Sequence, residues 1–226
     1  MGAGRVALNP RAFLTRPAVQ VAPQLLGATL RVDSAEGPVT VRLTEVEAYE
    51  GQADPASHAF RGPTRRTAVM FGPPGRLYVY LSYGLHWCAN VVCQPDGTAG
   101  AVLLRAGEVV DGIALARSRR PAARTDRDLA RGPARLTTAL GLTGGDDGID
   151  LLDRGGRVRL TVCGGVPGIH TGPRVGISTA AELPWRFWVA EAPSVSQFRP
   201  GRPRRTDPAP SGRAMITKPA GGDRED

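Results

Sequence analysis

The 226-residue sequence has one lysine, Lys218, among its 29 basic residues; the other 28 are arginine. Arginine cannot act as an amine nucleophile, so Schiff-base chemistry through a lysine is excluded from all but the C-terminal end, and Met1 offers the only other amine. Cysteine is scarce as well. Cys88, Cys93 and Cys163 are an odd number and do not form the even framework of a disulfide-stapled secreted fold. No stretch approaches the ~20 apolar residues of a membrane span. The N-terminal MGAGRVALNPRAFLTRPA lacks the continuous apolar centre of a signal peptide. A cytoplasmic protein with no membrane partner is expected. Aromatic residues make up only 5% of the chain, which makes any gathering of rings informative.

The charge balance has one sign. A net charge of +8 and a pI near 10.4 favour an anionic partner, nucleic acid first and an acidic membrane surface second. An arginine-rich proteome would produce the same balance. The length fits one large domain, with enough chain to bury a core. Residues 1–10 read as a loose arm, 11–199 as the folded domain, and 200–226 as a disordered tail of Pro, Arg, Gly and Asp.

Within the domain, a proline-interrupted helix is expected to end at Gly27. Strands are expected over 28–32 and 38–49. Residues 51–68 are rich in Gly, Pro and Ser and read as a long loop, a kind of segment that is usually functional or disordered. A strand pair follows over 77–93 and another strand over 101–106. Residues 107–141 look helical, broken at Pro121 and Pro133. A hairpin is expected over 149–163, and final strands over 174–178 and 185–190.

Two stretches draw attention to chemistry. In VTVRLTEVEAYEG (39–51), strict alternation puts Val39, Val41, Leu43, Glu45, Glu47 and Tyr49 on one strand face. An apolar face that runs into two carboxylates would place them at the mouth of the core, where burial raises a carboxyl pKa and suits it to acid–base work. A strand that twists outward would leave the same acids solvated, and alternation alone does not choose. The second stretch is LYVYLSYGLHWCANV (77–91), which holds Tyr78, Tyr80 and Tyr83, three of the four tyrosines; the fourth is Tyr49. His58 and His86 lie in the same region. Rings beside acids in a basic protein suggest a pocket for a flat, polar heterocycle such as a nucleobase.

Other chemistries fit poorly. His86 and Cys88 would share a strand face, but Cys93 has the opposite parity and no fourth ligand follows, so no metal is expected. The His-x-Glu and Cys-x-x-Cys pair of a zinc deaminase is absent. There is no GxxxxGK[ST] phosphate loop and no G-x-S-x-G elbow.

The long motifs EVEAYEGQADPASHAFRGPTRR, MFGPPGRLYVYLSYGLHWCANVV and AVLLRAGE are similar to those of the alkyladenine (3-methyladenine) DNA glycosylases. RGPARLTTALGL, PRVGIS and PWRFWV continue the resemblance, which covers residues 10–198 in the family's order. It implies an α+β fold: one compact domain with a curved antiparallel sheet, flanking helices and a protruding β-hairpin. It also implies removal of alkylated or deaminated purines from double-stranded DNA, with no cofactor and with base flipping. By position, Glu47 matches the family's catalytic glutamate, while Arg105 and the backbone carbonyl of Val175 match the groups that help hold the attacking water. Tyr49, His58 and Tyr80 match residues that enclose the flipped base, and Asn90 the amide that disfavours guanine. Tyr83 matches the wedge that fills the vacated stack. Leu85 and His86 flank it on the hairpin, and Arg66, Arg131 and Arg135 are assigned to DNA contacts. With no lysine in the domain, a monofunctional enzyme that leaves an abasic site is expected, and a monomer, since flipping needs one pocket and no amphipathic seam suggests a dimer.

Two features depart from the pattern or extend it. Thr67 stands where the family usually carries asparagine, which is expected to alter loop anchoring without touching the chemistry. ARSRRPAARTDR (116–127) could track phosphates or form a solvated surface. A non-catalytic nucleic-acid-binding protein would have no use for Glu47 and Arg105. A free-nucleoside hydrolase would have no use for the hairpin wedge or the positive charge.

Overall fold

One strand organises the molecule. The computed structural model describes residues 10–201; the expected arm over 1–10 and tail over 200–226, with Lys218, lie outside the described residues except at their inner ends. Strand β2, Gly37–Tyr49, is 13 residues long and has neighbours on both edges. Along one edge runs β5, Ala101–Asp111. The other edge is shared. Strand β1, Thr29–Ser34, pairs with residues 37–42, and β8, Arg186–Val189, takes over at 45–47. Beyond β5 lie β4, His86–Val92, and β3, Leu77–Ser82. Beyond β1 lies β6, Val158–Thr161, and beyond β8 lies β7, Ile169–Gly172. The result is an eight-stranded, curved antiparallel sheet in a compact α+β domain.

Helices supply most of the apolar cover. Helix α1 spans Pro10–Leu14 and α2 spans Ala18–Leu25. Ala18, Val21, Ala22 and Leu25 recur at the spacing that faces one side of a helix, and all four are fully buried. Helix α3, Ile113–Arg119, and α4, Pro133–Leu140, add Ala116, Leu136, Ala139 and Leu140. These residues pack with Val39, Val41, Leu43, Val46 and Ala48 of β2 in one core cluster. A second, smaller cluster of Ala59, Met70, Tyr78, Val92, Ala99 and Ala101 seats the 51–71 loop.

That core membership corrects the expected alternation of β2. Val39, Val41 and Leu43 share their core with Val46 and Ala48, so Glu45, Glu47 and Tyr49 do not continue the apolar face. The register shows why. Leu43 pairs with Gly107, but Glu45 pairs with Ala106 and Val46 with Leu104. Thr44 is therefore an extra residue on β2, and Arg105 an extra residue on β5. Each bulge reverses the in–out order of its own strand. Two bulges face to face turn Glu45 and Glu47 from one strand, and Arg105 from the other, away from the core and toward each other.

Three other expectations need correction. The strand expected over 101–106 extends to Asp111, because Val109 and Asp111 pair with Val41 and Thr40; helix begins only at Ile113. No hairpin forms over 149–163. Asp150 bridges to Arg76, residues 151–157 are turns and bends held partly by the carboxylates of Asp150 and Asp153 on nearby backbone N–H groups, and β6 pairs with β1 instead. Residues 174–178 are not a strand. Gly176 has φ +74°, and Arg174 is drawn into the interior by an ion pair, while the strand lies earlier, at Ile169–Gly172.

The β3–β4 turn is tight. Leu85 N–H donates to the Ser82 carbonyl at 3.0 Å, and Tyr83 and Gly84 have φ of +50° and +69°. Positive φ at both central residues is the primed hairpin turn that matches strand twist. Glycine adopts it readily and tyrosine uncommonly. The turn leaves Tyr83 94% and Leu85 74% exposed.

The bulge is open to test at Gly107. A Cβ there would lie 2.5 Å from the Arg42 carbonyl oxygen and collide with Val41. Gly107→Ala is expected to lose about 1–3 kcal/mol of stability by overpacking, read from urea unfolding. Unchanged stability would mean that the strands can separate here at no cost.

Candidate active site

Glu45 is fully buried and saturated with donors. Arg105 Nε reaches its Oε1 at 2.9 Å and Arg186 Nε at 2.7 Å. Ser196 contributes its N–H to Oε2 at 2.7 Å and its hydroxyl to Oε1 at 2.9 Å. Burial pushes the Glu45 carboxyl up, but the two guanidiniums and the Ser196 bonds outweigh it and hold the group below the ordinary glutamate value. Glu45 is a structural anion.

Glu47, two residues on, is equally buried but less well compensated. Val175 N–H donates to Oε1 at 2.7 Å and Tyr49 hydroxyl to Oε2 at 2.9 Å. Arg105 lies farther from it than from Glu45, at 3.3 Å from Oε1 and 3.4 Å from Oε2. Here burial wins, with a smaller push from the neighbouring Glu45 charge, and the carboxyl rises above the ordinary value despite Arg105, Val175 and Tyr49. Burial, then the Glu47 charge, raises Tyr49 well above an ordinary phenol, so it remains a donor. One shared arginine and two carboxylates with opposite shifts make a division of labour: one group holds charge, and the other can exchange a proton.

An aromatic pocket adjoins this network. It is lined by Tyr49, His58, Tyr78, Tyr80, Asn90, Met70 and Ile177. His58 stands edge-on to Tyr80 at 4.5 Å between centroids, and Tyr78 stacks on Tyr80 at 5.5 Å. Asn90 Nδ2 donates to the Tyr78 carbonyl at 3.1 Å, which fixes the amide at the wall. Arg66 Nη2 lies 3.4 Å from His58 Nε2, and the His58 Nδ1 lies 3.2 Å from the Tyr78 hydroxyl. Arginine can only donate, so Nε2 accepts and Nδ1 carries the proton. Loss of water around the ring, then the Arg66 charge, lowers the His58 pKa to about 4. The imidazole is neutral at neutral pH even though its outer edge reaches solvent.

The sequence candidates thus fall into groups. Glu47, Arg105 and Val175 meet directly, with Val175 contributing its N–H. Tyr49, His58, Tyr80 and Asn90 share the pocket. Arg66, assigned to DNA, sits at the pocket rim, 5.2 Å from the Tyr80 ring. A groove lined by Tyr83, Ser82, Tyr80, Arg105 and Val175 runs from the exposed hairpin tip to the network. Leu85 and His86 stay at the exposed tip. Arg131 and Arg135 line a neighbouring cleft with Arg105, Ser196 and Arg199, and Arg131 Nε is tied to the Val195 carbonyl at 2.9 Å. Within 116–127, Arg117 pairs with Asp126, Arg119 with Glu36, and Arg120 with the Leu129 carbonyl, so these three serve their own surface. Thr67 is buried and anchors its loop through Thr64 and the Gly62 carbonyl. Among the described residues no cluster of His, Cys, Asp or Glu could hold a metal ion, and no helix is long and apolar enough to cross a membrane.

Sequence reasoning missed several members. Arg186 and Ser196 complete Glu45 from 141 and 151 residues away, which no local pattern reveals. Arg174 and Asp54 form a fully buried pair behind Tyr49. Tyr78, which matches no motif role, lines the pocket and orients His58; its place on the same strand face as Tyr80 is the available signal.

Comparison with known proteins fits this geometry. Residues 12–193 match the family model described as methylpurine-DNA glycosylase. A protein of Nocardia farcinica named "Putative 3-methyladenine DNA glycosylase" is 58% identical over 185 residues, 79% of this chain and 85% of its own. Proteins of the same name from Leifsonia xyli subsp. xyli and Streptomyces avermitilis are 56% and 50% identical, covering 83% and 86% of this chain and 91% and 93% of theirs.

The network has a stability signature. Glu45→Gln leaves two buried guanidiniums short of a counter-charge and is expected to cost about 3–5 kcal/mol at neutral pH. The Glu45 carboxyl is depressed in the folded state, so its contribution is present above the ordinary value of 4.5 and disappears as pH falls through the lower folded value. The stability gap between wild type and Glu45→Gln should therefore narrow in acid; urea titrations across pH that show a constant gap would contradict the assignment.

Proposed function

Because this chain belongs to the methylpurine-DNA glycosylase family of DNA-repair hydrolases acting on N-glycosyl bonds, we propose that it is a monofunctional enzyme for alkylated or deaminated purines in duplex DNA. The observation that carries this reading is the poorly compensated, buried Glu47 at the edge of an aromatic pocket, beside an anion that is held charged. In this scheme Tyr83 enters the duplex from the hairpin tip and fills the gap left by the damaged nucleotide. Unstacking costs a few kcal/mol, and the inserted ring offsets part of it. The extruded purine stacks among Tyr49, His58 and Tyr80, with Asn90 crowding the amino group of a normal guanine. Neutral His58 can approach a purine edge without adding charge.

The chemistry follows from the pair of environments. The bond between C1′ and the purine nitrogen breaks, and the departing base takes the electron pair. Water supplies the new C1′–O bond and gives its proton to the Glu47 carboxylate, with Arg105 and the Val175 backbone carbonyl holding that water. As the sugar becomes oxocarbenium-like, the carboxylate also faces developing positive charge. No lysine lies within residues 10–201, so a strand-nicking Schiff base is not part of the scheme. One pocket per chain suffices, and the protein acts as a monomer on double-stranded DNA.

The test uses a duplex with a single hypoxanthine, 1,N6-ethenoadenine or 3-methyladenine. Alkali-labile breaks at the lesion are expected, and breaks without alkali would contradict the monofunctional scheme. Glu47→Gln is expected to slow excision roughly 100- to 10,000-fold. Glu47 must be ionised to act and is shifted upward, so the rate should fall as pH drops through a value above the ordinary 4.5. Undiminished excision by Glu47→Gln would remove the assignment, and binding without abasic product across all three lesions would favour a non-catalytic binding protein.

A further inference from the structure

The Arg174–Asp54 pair is the most deeply buried ion pair among the described residues, with both side chains fully inaccessible. Arg174 Nη1 and Nη2 reach the two Asp54 oxygens at 2.5 and 3.0 Å. The same Nη1 donates to the Ala48 carbonyl at 3.1 Å. The guanidinium centre lies 4.7 Å from the Tyr49 ring and 5.2 Å from the Trp185 ring. Among the described residues Nε has no hydrogen-bond partner.

The position of the pair shows what it joins. Ala48 and Tyr49 immediately follow Glu47 on β2, and Val175, whose N–H binds Glu47 Oε1 at 2.7 Å, immediately follows Arg174. Asp54 in turn accepts the Ala56 N–H at 3.0 Å, at the start of the loop that brings Ala56, Ser57 and His58 into the pocket wall. Arg174 itself is not among the pocket residues. One planar cation therefore ties together the strand, the loop and the segment that surround Glu47. We infer that Arg174 is a positioning residue: braced by Asp54, it holds the Val175 N–H against Glu47 and supports the Tyr49 ring and hydroxyl, and so keeps Glu47 ready as a carboxylate. This rests on the reading of Glu47 as the base.

The groups facing Glu47 set the sign of the effect. They are Glu45 and Tyr49 from β2, Arg105 from β5, Tyr80 from β3, Cys88 from β4, and the Val175 N–H. Arg186 of β8 acts through Glu45. Of these, Arg105 and the Val175 and Tyr49 bonds favour the ionised form, and the two bonds are what Arg174 positions. Loosening them raises the pH at which Glu47 ionises. A hydrogen bond to a charged acceptor is strong enough to move that pH by about one unit.

The experiment uses full-length protein with Arg174→Lys, which keeps the charge but loses the planar fork, and Arg174→Gln, which loses both. Leu30→Ala, in the distant core, controls for destabilisation. The Glu47 carboxyl is titrated by carbon-13 NMR, and single-turnover hypoxanthine excision is followed against pH. Both Arg174 variants should show the Glu47 midpoint, and the acid limb of excision, raised by about one unit, with Leu30→Ala unmoved. If Arg174→Gln fails to fold, Arg174→Lys carries the test. A Glu47 midpoint unmoved in folded Arg174 variants, or moved equally in Leu30→Ala, overturns the inference. A midpoint that moves while wild type releases no base, or while the acid limb stays fixed, upholds the positioning role and removes Glu47 as the base.

Discussion

The site depends on one guanidinium shared by two buried carboxylates. Arg105 sits 2.9 Å from Glu45 and 3.3 Å from Glu47, and among the described residues it is the one cation that compensates both buried charges. An isolated carboxylate in the interior is prohibitively costly, while a pair with ideal partners roughly breaks even. The sheet solves this by paired bulges. An extra residue on β2 and another on β5 reverse the pleat of both strands at the same level, so that acids and arginine leave the core side together. Were only one strand bulged, the charges would fall on opposite faces.

From that arrangement comes the asymmetry between the acids. Glu45 collects Arg105, Arg186 and both donors of Ser196, and its charge is secured. Glu47 receives the weaker share of Arg105 plus one backbone N–H and one phenol, and burial prevails. The repulsion from Glu45 adds to the same effect. A second layer, Arg174 with Asp54, does not touch Glu47 but meets both residues that follow it on the strand. The pocket rings are held in the same fashion, His58 fixed in tautomer between Arg66 and Tyr78.

Much of this was legible in residue patterns. The Glu45–Glu47–Tyr49 spacing, the crowding of tyrosines in a ring-poor chain and the Tyr83–Gly84 turn pointed to an acid beside an aromatic pocket with a hairpin in front. The motifs carried the family and the fold class. The bulges were not legible, because alternation assumes an unbroken period of two, and Thr44 is chemically an ordinary strand residue. The carboxylates were found for a partly wrong reason: they do not continue the apolar face of Val39 and Leu43 but leave it. Arg174 with Asp54 and Glu45 with Ser196 join residues 120 and 151 apart, and only the folded chain brings them together. The strand expected over 174–178 failed for the same reason, since burial of Arg174 overrides a locally extended preference.

The central claim is that burial lifts Glu47 above an ordinary glutamate and that the Glu45 charge, by holding Arg105 and repelling Glu47, adds to the rise. The most direct measurement is the pH dependence of single-turnover excision by Glu45→Gln. Removing the charge lifts the repulsion and frees Arg105 to turn to Glu47, so the acid limb should move to lower pH than in wild type. A limb that stays in place, or moves to higher pH, would contradict the account.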